Sequence, residues 1–463
     1  MSETGDIVNE TDGKQDKRIR ILRDEQPAKA VVRMGVPLIA GMCIMVLYNL
    51  VDTFFIGLLH DDYQLAAVNL GYPVMMVSVA VSNMIGAGTA SLIARSLGAG
   101  ETEKARHALT AGMVLTVLNS LIVTIAGLLF LPQIVRGLGA DADTFAYTSQ
   151  YTAVLLSGSI CTMGSYTLGT LLRSEGSVKY AVAGMLCGTA GNLVLDPLFI
   201  FGFGMQVRGA AIATVLGNAV STAVSLMLYA RGKTLLQPRR KYWKPTAEIL
   251  GEIFYVGVPA SLETLLTTAA YIVNNNLAAH YSALHVTATG LAQKILTLGT
   301  YVYQGFASGT QPLMGYNYGA KNYRRMLAVL RAGLMIVSGT ELCIMAVYAM
   351  FAPQLIGLFS ETPEVIRLGS RALRTVMWIL PFVGAVSMSR MSFQAMGKPL
   401  SAFVITLVRQ LFLYVPLLLI LDRVFGFSGM LWAQPVTEAI MTVFSVRLLV
   451  RTIRGAMRTA ESA

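Results

Sequence analysis

The chain has few charged residues for its length. Only 13% of its 463 residues are Asp, Glu, Lys or Arg, about half the share of a typical soluble protein. Cysteine and histidine occur four times each. The cysteines, Cys43, Cys161, Cys187 and Cys343, fall within apolar runs and match no metal-ligand spacing, so we expect reduced packing residues. These shortages argue against a soluble domain, a disulfide-stapled secreted protein and a Cys/His zinc protein.

Long apolar runs are what the sequence has in abundance. Hydrophobic residues make up 54% of the chain, in runs of about 20 or more, each long enough to cross a bilayer core as a helix. The runs are continuous rather than alternating at period two, which favours helices over strands. The pattern predicts an all-α polytopic membrane protein with twelve transmembrane spans, roughly at 31–58, 64–94, 106–131, 145–172, 178–203, 208–230, 249–280, 285–313, 325–352, 365–394, 399–422 and 427–450.

The net charge of +11 is distributed unevenly between the two sides of these spans. Lys and Arg collect in both tails, in the connection between spans 6 and 7 and in the other even-numbered loops, whereas odd-numbered loops carry acids such as Asp61, Asp62 and Asp141. Basic residues favour the cytoplasmic side, so we expect both termini there. A basic tail that binds RNA is the alternative; topology explains the charges better, and we expect no nucleic-acid partner.

The sequence repeats itself after about half its length. Gly35-Val36-Pro37 returns as Gly257-Val258-Pro259, and Gly86-Ala87-Gly88-Thr89 returns as Ala307-Ser308-Gly309-Thr310. The repeat predicts two pseudo-symmetric six-helix lobes in parallel orientation, which is a transporter layout. We expect a cytoplasmic tail at 1–30, the first lobe at 31–230, a cytoplasmic linker at 231–248, the second lobe at 249–450 and a cytoplasmic tail at 451–463.

Membrane-buried acids distinguish the two copies. Asp52 in span 1 aligns with Asn274, and Asp196 in span 5 aligns with Val415 when Pro197 is placed on Pro416. Asp52, Asp196 and Thr214 of span 6 each lie about six or seven residues from the outer end of their spans, so all three lie roughly 9–10 Å deep. Asn192 shares the helix face of Asp196, four residues earlier.

These four side chains predict a cation-coupling site. Carboxylate, amide and hydroxyl oxygens suit a hard monovalent cation such as Na+, or a proton. Na+ is the only metal ion that we expect the site to bind. A charged Asp within a span costs roughly 2.5–3.5 kcal/mol on insertion scales, so it is rarely there for packing alone. The alternative is that an Asp caps a helix or pairs with a polar neighbour. We expect no other cofactor.

Other polar residues lie in the spans of the second lobe. Glu263, Lys294, Glu341, Arg409 and Glu438 fall within them or near their ends, and we expect some to pair across helices. Glu263 is also a candidate to meet a cationic substrate. Lys294 is a candidate counter-ion, with a side chain that snorkels to the membrane surface as the alternative.

Aromatic residues and a proline complete the candidates. Tyr48, Tyr271 and Tyr301 are candidates for a cavity wall, with ordinary helix packing as the alternative. Pro37, in the same span as Asp52, is a candidate hinge, with a fixed kink as its alternative.

Five segments of the sequence are distinctive as a set: Leu47-Tyr48-Asn49-Leu50-Val51-Asp52-Thr53, Leu65-Ala66-Ala67-Val68, Leu172-Arg173-Ser174-Glu175-Gly176, Gly191-Asn192-Leu193-Val194-Leu195-Asp196-Pro197 and Gln394-Ala395-Met396-Gly397. On these segments the chain resembles the multidrug and toxic compound extrusion (MATE) family, in its bacterial MepA- and DinF-like branch, from about residue 31 to 450. The resemblance implies an antiporter whose first-lobe pocket, at Asp52, Asn192, Asp196 and Thr214, couples Na+ or H+ to drug exit.

The sequence therefore predicts a secondary active multidrug efflux transporter. We expect it to exchange Na+ or H+ for lipophilic, often cationic compounds by alternating access. As the resemblance to bacterial exporters implies, we expect it to act as a monomer in the lipid bilayer of a bacterial plasma membrane, and not as an enzyme. A flippase for polyprenyl-linked saccharides shares the repeat plan, but the first-lobe spans are nearly free of the Lys and Arg that a pyrophosphate needs. An intramembrane aspartyl protease is disfavoured because the residues preceding Asp52 and Asp196 do not match its motifs.

Overall fold

The computed structural model describes residues 18–57, 61–243, 246–281 and 283–462. Within these ranges the secondary structure is helical, with no strand, and nine stretches of helix are long and apolar enough to cross a membrane. Each of the twelve predicted spans overlaps a helical segment. The prediction of an all-α polytopic fold with twelve transmembrane helices is confirmed.

We number the helices by span. The first six are α1 (Pro27–Gly57), α2 (Asp62–Gly98), α3 (Thr102–Leu129), α4 (Phe145–Ser157 and Ser159–Ser174), α5 (Val178–Pro197, continued by a π-turn at Leu198–Gly202) and α6 (Gln206–Ala230). The next four are α7 (Ala247–Ala279), α8 (Ala283–Gly319), α9 (Tyr323–Gly357) and α10 (Pro363–Val376, Met377–Ile379 and Leu380–Ala395). The last two are α11 (Pro399–Leu407, the π-turn Val408–Tyr414 and the start of Val415–Ser462) and α12 (the rest of Val415–Ser462).

The breaks between these helices follow from local chemistry. The side chain of Asp61 accepts the backbone N–H groups of Tyr63 and Gln64, which caps α2. Gly426 separates α11 from α12 with a φ of 59°, a conformation that glycine adopts at little cost. A short helix, Leu131–Gly137, follows α3.

The turns repeat along with the sequence. Gly100 ends the α2 segment with a φ of 80°, and Lys321, 221 residues later at the end of α8, has a φ of 54°. Gly176 and Gly397, which follow α4 and α10, have φ values of 79° and 69°. The same left-handed turns thus recur at matching places in both copies, and in one of them a lysine has replaced the glycine.

The contacts divide the chain into two units whose boundaries fall inside helices. Residues 18–21 and Ala40–Val258 form unit 1, and Leu22–Ile39 with Pro259–Ala463 form unit 2. The chain changes unit two residues after Pro37 in α1, and between Val258 and Pro259 in α7. These units are groups of contacting residues, and the lobe boundaries predicted from the sequence stay a prediction.

Repeated glycines allow the close helix contacts within each unit. In unit 2, a Cβ on Gly309 of α8 would lie 2.8 Å from the backbone nitrogen of Gly35. In unit 1, a Cβ on Gly88 of α2 would lie 2.1 Å from the backbone oxygen of Ile253 in α7. Gly88 and Gly309 are repeat counterparts, so the sequence repeat corresponds to a repeated helix crossing.

Candidate functional site

The predicted ion site involves the closely packed pair α5 and α6 of unit 1. A Cβ on Gly217 of α6 would lie 2.8 Å from the Cβ of Asn192 and 2.9 Å from the backbone oxygen of Gly188. Glycine is therefore required for the two backbones to approach this closely. The close approach holds the polar face of α5 against α6.

The structure places Asn192 and Asp196 one turn apart on α5, both buried, with Asp196 fully shielded from solvent. Thr214 is half-buried on α6, and its hydroxyl donates to the carbonyl of Ala210 at 3.0 Å. That bond leaves the lone pairs of the hydroxyl available to a cation. The backbone of Asp52 lies in α1, but its side chain lies outside the described residues.

One helical turn from these residues, α1, α5 and α6 meet in an apolar cluster. Ile200 and Ala210 are buried, and Phe55 packs against them. Phe55 also contacts Phe201 edge-on, with ring centroids 6.3 Å apart. Phe55, Ile200 and Ala210 lie three or four residues from Asp52, Asp196 and Thr214 respectively. The cluster therefore packs the three helices together about one turn from the predicted site.

The donor chemistry of the predicted site fits a monovalent cation or a proton. No group of three or more His, Cys, Asp or Glu side chains that could hold a metal ion occurs among the residues that the structure describes. Two acids, an amide and a hydroxyl offer oxygen ligands, which hard cations prefer over softer transition metals.

Of the predicted substrate-cavity residues, three have described side chains. Glu263 is buried in α7, where Arg390 of α10 donates to its Oε2 at 2.8 Å and Gln394 donates at 3.0 Å. Lys294 is exposed and Tyr301 is half-buried, both on α8. The side chains of Tyr48 and Tyr271 lie outside the described residues. Substrate contact by these five residues stays a prediction.

The expected pairing of second-lobe charges is confirmed. The Nε of Arg409 on α11 donates to Oε1 of Glu438 on α12 at 2.7 Å, and its Nη2 donates to the same oxygen. Sequence reasoning overlooked Arg390, the partner of Glu263, although an arginine within a span is itself a signal. Glu341 on α9 is fully buried.

Known proteins share the repeat and the fold of this chain. The MatE family profile matches residues 37–198 and 259–420, two stretches that begin 222 residues apart, as the internal repeat does. Together they cover more than half of the chain. The chain belongs to the MatE family.

Relatives and solved structures of MatE proteins resemble the chain over nearly its whole length. A protein of Staphylococcus aureus (strain MSSA476) named "Multidrug export protein MepA" is 27% identical over 449 residues, covering 97% of this chain and 99% of the relative. A structure of a multidrug resistance MATE family transporter in an outward-facing conformation superposes with a TM-score of 0.91 at 28% identity, covering 96% and 99%. Another, described as MATE in the straight conformation, gives 0.91 at 29% identity, with the same coverage.

This MatE chain has a further buried acid outside the membrane-spanning helices. Glu175, in the turn between α4 and α5, is fully buried, and the backbone N–H of Leu236 donates to its Oε2 at 2.8 Å. The guanidinium of Arg18, which donates to the carbonyl of Lys233, also attracts the carboxylate of Glu175 electrostatically. Glu175 therefore anchors the connection that follows α6.

Burial raises the pKa of Glu175 to about 7, although the Leu236 N–H and Arg18 act in the opposite direction. The folded chain thus binds this proton more tightly than the unfolded chain, whose pKa stays near 4.5. The stability contributed by protonation is complete below pH 4.5 and is lost as the pH rises to about 7, a loss of at most about 3 kcal/mol. Glu175→Gln is expected to remove this pH dependence. Melting curves of the detergent-purified variant and of the wild type, recorded from pH 5 to 8, check this expectation. The control is the same change at an exposed acid, Glu361→Gln. If the melting temperatures of Glu175→Gln and of the wild type depend on pH in the same way, the expectation is contradicted.

The contact between α5 and α6 gives a second prediction. Gly217→Ala is expected to separate the helices at Asn192 and to lower the melting temperature, because its Cβ meets backbone and Cβ atoms that cannot rotate away. The matched control is Gly339→Ala on α9, where a Cβ meets nothing within 4 Å. There we expect no loss, since alanine is the better helix former. Equal melting temperatures for the two variants would refute the close packing.

Proposed function

We propose that this chain is a secondary active multidrug efflux transporter, which exchanges Na+ or H+ for lipophilic, often cationic compounds. The similarity to a multidrug export protein supports the substrate class. The observation that carries the coupling is the buried Asn192 and Asp196 pair, packed against α6 in the first copy of the repeat, where the second copy has an apolar residue opposite Asp196.

The proposed coupling site consists of Asp52, Asn192, Asp196 and Thr214. An inward-moving Na+ or H+ binds there and reduces the electrostatic cost of burying the carboxylates. Release of the ion to the other side then leaves the site charged again. Because each occupancy favours a different arrangement of the helices around it, ion binding can drive alternating access.

The proposed hinge is Pro37. Proline has no backbone N–H, so the carbonyl one turn earlier loses its helical partner and α1 bends more easily there. The unit boundary two residues later, at Ile39 and Ala40, supports a bend at this place. A bend here would move the part of α1 that carries Asp52 relative to the part that packs against Gly309.

The remaining parts of the proposal concern location and partners. The protein acts as a multi-pass component of a bacterial plasma membrane with cytoplasmic termini, supported by the placement of its basic residues. Its partners are small organic molecules and the lipid bilayer. It works as a single chain and needs no cofactor other than the coupling ion.

Accumulation of ethidium in bacteria that lack their own efflux pumps tests the proposed function. Expression of the chain is expected to lower the accumulation of this lipophilic cation. An ionophore that dissipates the gradient of the coupling ion, Na+ or H+, is expected to restore the accumulation of ethidium. Unchanged accumulation in cells with verified membrane expression, across a panel of lipophilic cations, would refute the proposal.

A further inference from the structure

Unit 2 contains a cavity of about 410 Å³ lined by α7, α8, α10, α11 and α12. Its volume lies in the range of small-molecule sites. The lining combines amides, hydroxyls and apolar side chains: Thr267, Ala270, Asn274, Thr289, Gly290, Ala292, Gln293, Ala372, Val376, Arg409, Gln410, Tyr414, Met430, Leu431 and Gln434. Of the predicted substrate-cavity residues with described side chains, Glu263, Lys294 and Tyr301, none is among them.

The cavity occupies the place in the second copy that the ion site has in the first. Asn274 aligns with Asp52, and Gln434 aligns with Thr214. Tyr414, which also lines the cavity, directly precedes Val415, the counterpart of Asp196. The hydroxyl of Tyr414 donates to Oδ1 of Asn274 at 3.0 Å. The second copy therefore has a cavity here in which amides replace carboxylates.

Among the described residues that line the cavity, Arg409 supplies the only charge, and that charge is positive. Its Nε and Nη2 donate to Glu438, which is fully buried and does not line the cavity. The Nη1 of Arg409 donates to none of the described residues. The cavity is thus lined by the cation of the ion pair, Arg409, whereas its carboxylate partner, Glu438, is not part of the lining.

A π-turn brings the polar side chains of α11 into the cavity. Arg409, Gln410 and Tyr414 all lie in the π-turn Val408–Tyr414. A π-turn widens the helix and changes the direction of its side chains, a feature that is frequent at functional sites. Pro416, two residues after Tyr414, cannot donate a backbone hydrogen bond and favours this irregular backbone.

We propose that this cavity binds organic carboxylates: compounds with a carboxylate on an aromatic or apolar body. A guanidinium and the NH2 groups of four carboxamides are donors that a carboxylate needs, and none of the described lining residues is an acid that would repel it. Ala270, Val376, Met430 and Leu431 would contact the apolar body. A cationic compound would meet a like charge here, so the second unit selects the opposite charge from the acidic site of the first.

Binding to the detergent-purified full chain tests this inference. The probes are naphthalene-2-carboxylate and its neutral near-isostere naphthalene-2-carboxamide, titrated by calorimetry. The carboxylate is expected to bind at least about tenfold more tightly than the amide, the effect of roughly 1.4 kcal/mol. Equal affinities, or no binding of either, would overturn the proposal.

Two variants locate the binding in this cavity. Asn274→Asp keeps an acceptor for the Tyr414 hydroxyl and adds a negative charge, so the carboxylate is expected to lose about tenfold in affinity while the amide changes little. The control is Asn322→Asp, the same change at the N-cap of α9, outside the cavity. Arg409→Gln combined with Glu438→Gln removes both charges together, and is expected to abolish the preference for the carboxylate. If both variants retain the wild-type preference, the cavity is not the site.

The inference rests on the proposed transport function for its physiological meaning, but its test does not. Binding is measured without an ion gradient, so loss of coupled efflux would leave the binding result intact. Conversely, a chain that pumps ethidium but does not distinguish the two naphthalene probes would overturn only the carboxylate site.

Discussion

Asp52→Asn is expected to abolish drug efflux while the protein remains folded and inserted. Asparagine is nearly isosteric with aspartate but cannot carry the charge that holds Na+ or exchanges a proton. It is also the residue at the matching place of the second copy, Asn274. A membrane potential of about 100 mV contributes roughly 2.3 kcal/mol per charge moved, which corresponds to an approximately fifty-fold drug gradient. The variant is expected to lose that gradient entirely.

Growth of expressing cells in the presence of a toxic lipophilic cation measures this loss. The matched control is Asp143→Asn, the same change at an exposed acid between the short helix after α3 and α4. It is expected to confer wild-type resistance. Equal membrane levels and melting temperatures show that the position 52 variant is folded. Full resistance in that variant would refute the coupling role of Asp52.

The Glu263–Arg390 pair is expected to show the largest effect on stability. Glu263 is almost fully buried, whereas 21% of the Arg390 side chain is exposed. Arg390→Met therefore leaves a buried carboxylate without its cation, which is expected to cost about 3–5 kcal/mol. Glu263→Gln is expected to cost less, because Arg390 can still reach solvent and Gln394 remains nearby.

A double-mutant cycle, followed by unfolding in SDS, separates the pair from the rest of the packing. Arg390→Met with Glu263→Leu removes both charges and is expected to recover most of the stability lost in Arg390→Met. Additive losses in the double variant would contradict an energetically coupled pair. Retained ethidium efflux in a stable double variant would further indicate that Glu263 is structural rather than a substrate contact.

The sequence predicted the helical fold well because the length of an apolar run is a local signal and the internal repeat can be read from the sequence directly. Every predicted span overlaps a helix, and the repeated glycines at Gly88 and Gly309 proved to be points of close helix contact. The apolar runs assigned Asp196 and Thr214 to spans 5 and 6, whose helices α5 and α6 pack together at Gly217. The role of these residues in ion coupling stays a prediction.

Three-dimensional contacts that depend on rotation about a helix axis were beyond the sequence. The face that Arg409 presents depends on the π-turn of α11, which no local periodicity reveals. The pairing of Glu263 with Arg390 joins residues 127 positions apart. Glu175 resembled an ordinary loop acid, because its burial depends on the connection after α6 folding back over it. In each case the chemistry was visible in the sequence, but the partner was not.

Drug flux in proteoliposomes under separately imposed gradients tests the central claim, ion-coupled efflux, most directly. The purified chain is reconstituted with a fluorescent lipophilic cation inside, and an inward Na+ gradient or an inward H+ gradient is applied alone at matched membrane potential. The predicted result is that one or both gradients accelerate exit of the cation, and that a matching ionophore or the Asp52→Asn change removes the acceleration. Exit at the same rate with and without both gradients would contradict the account.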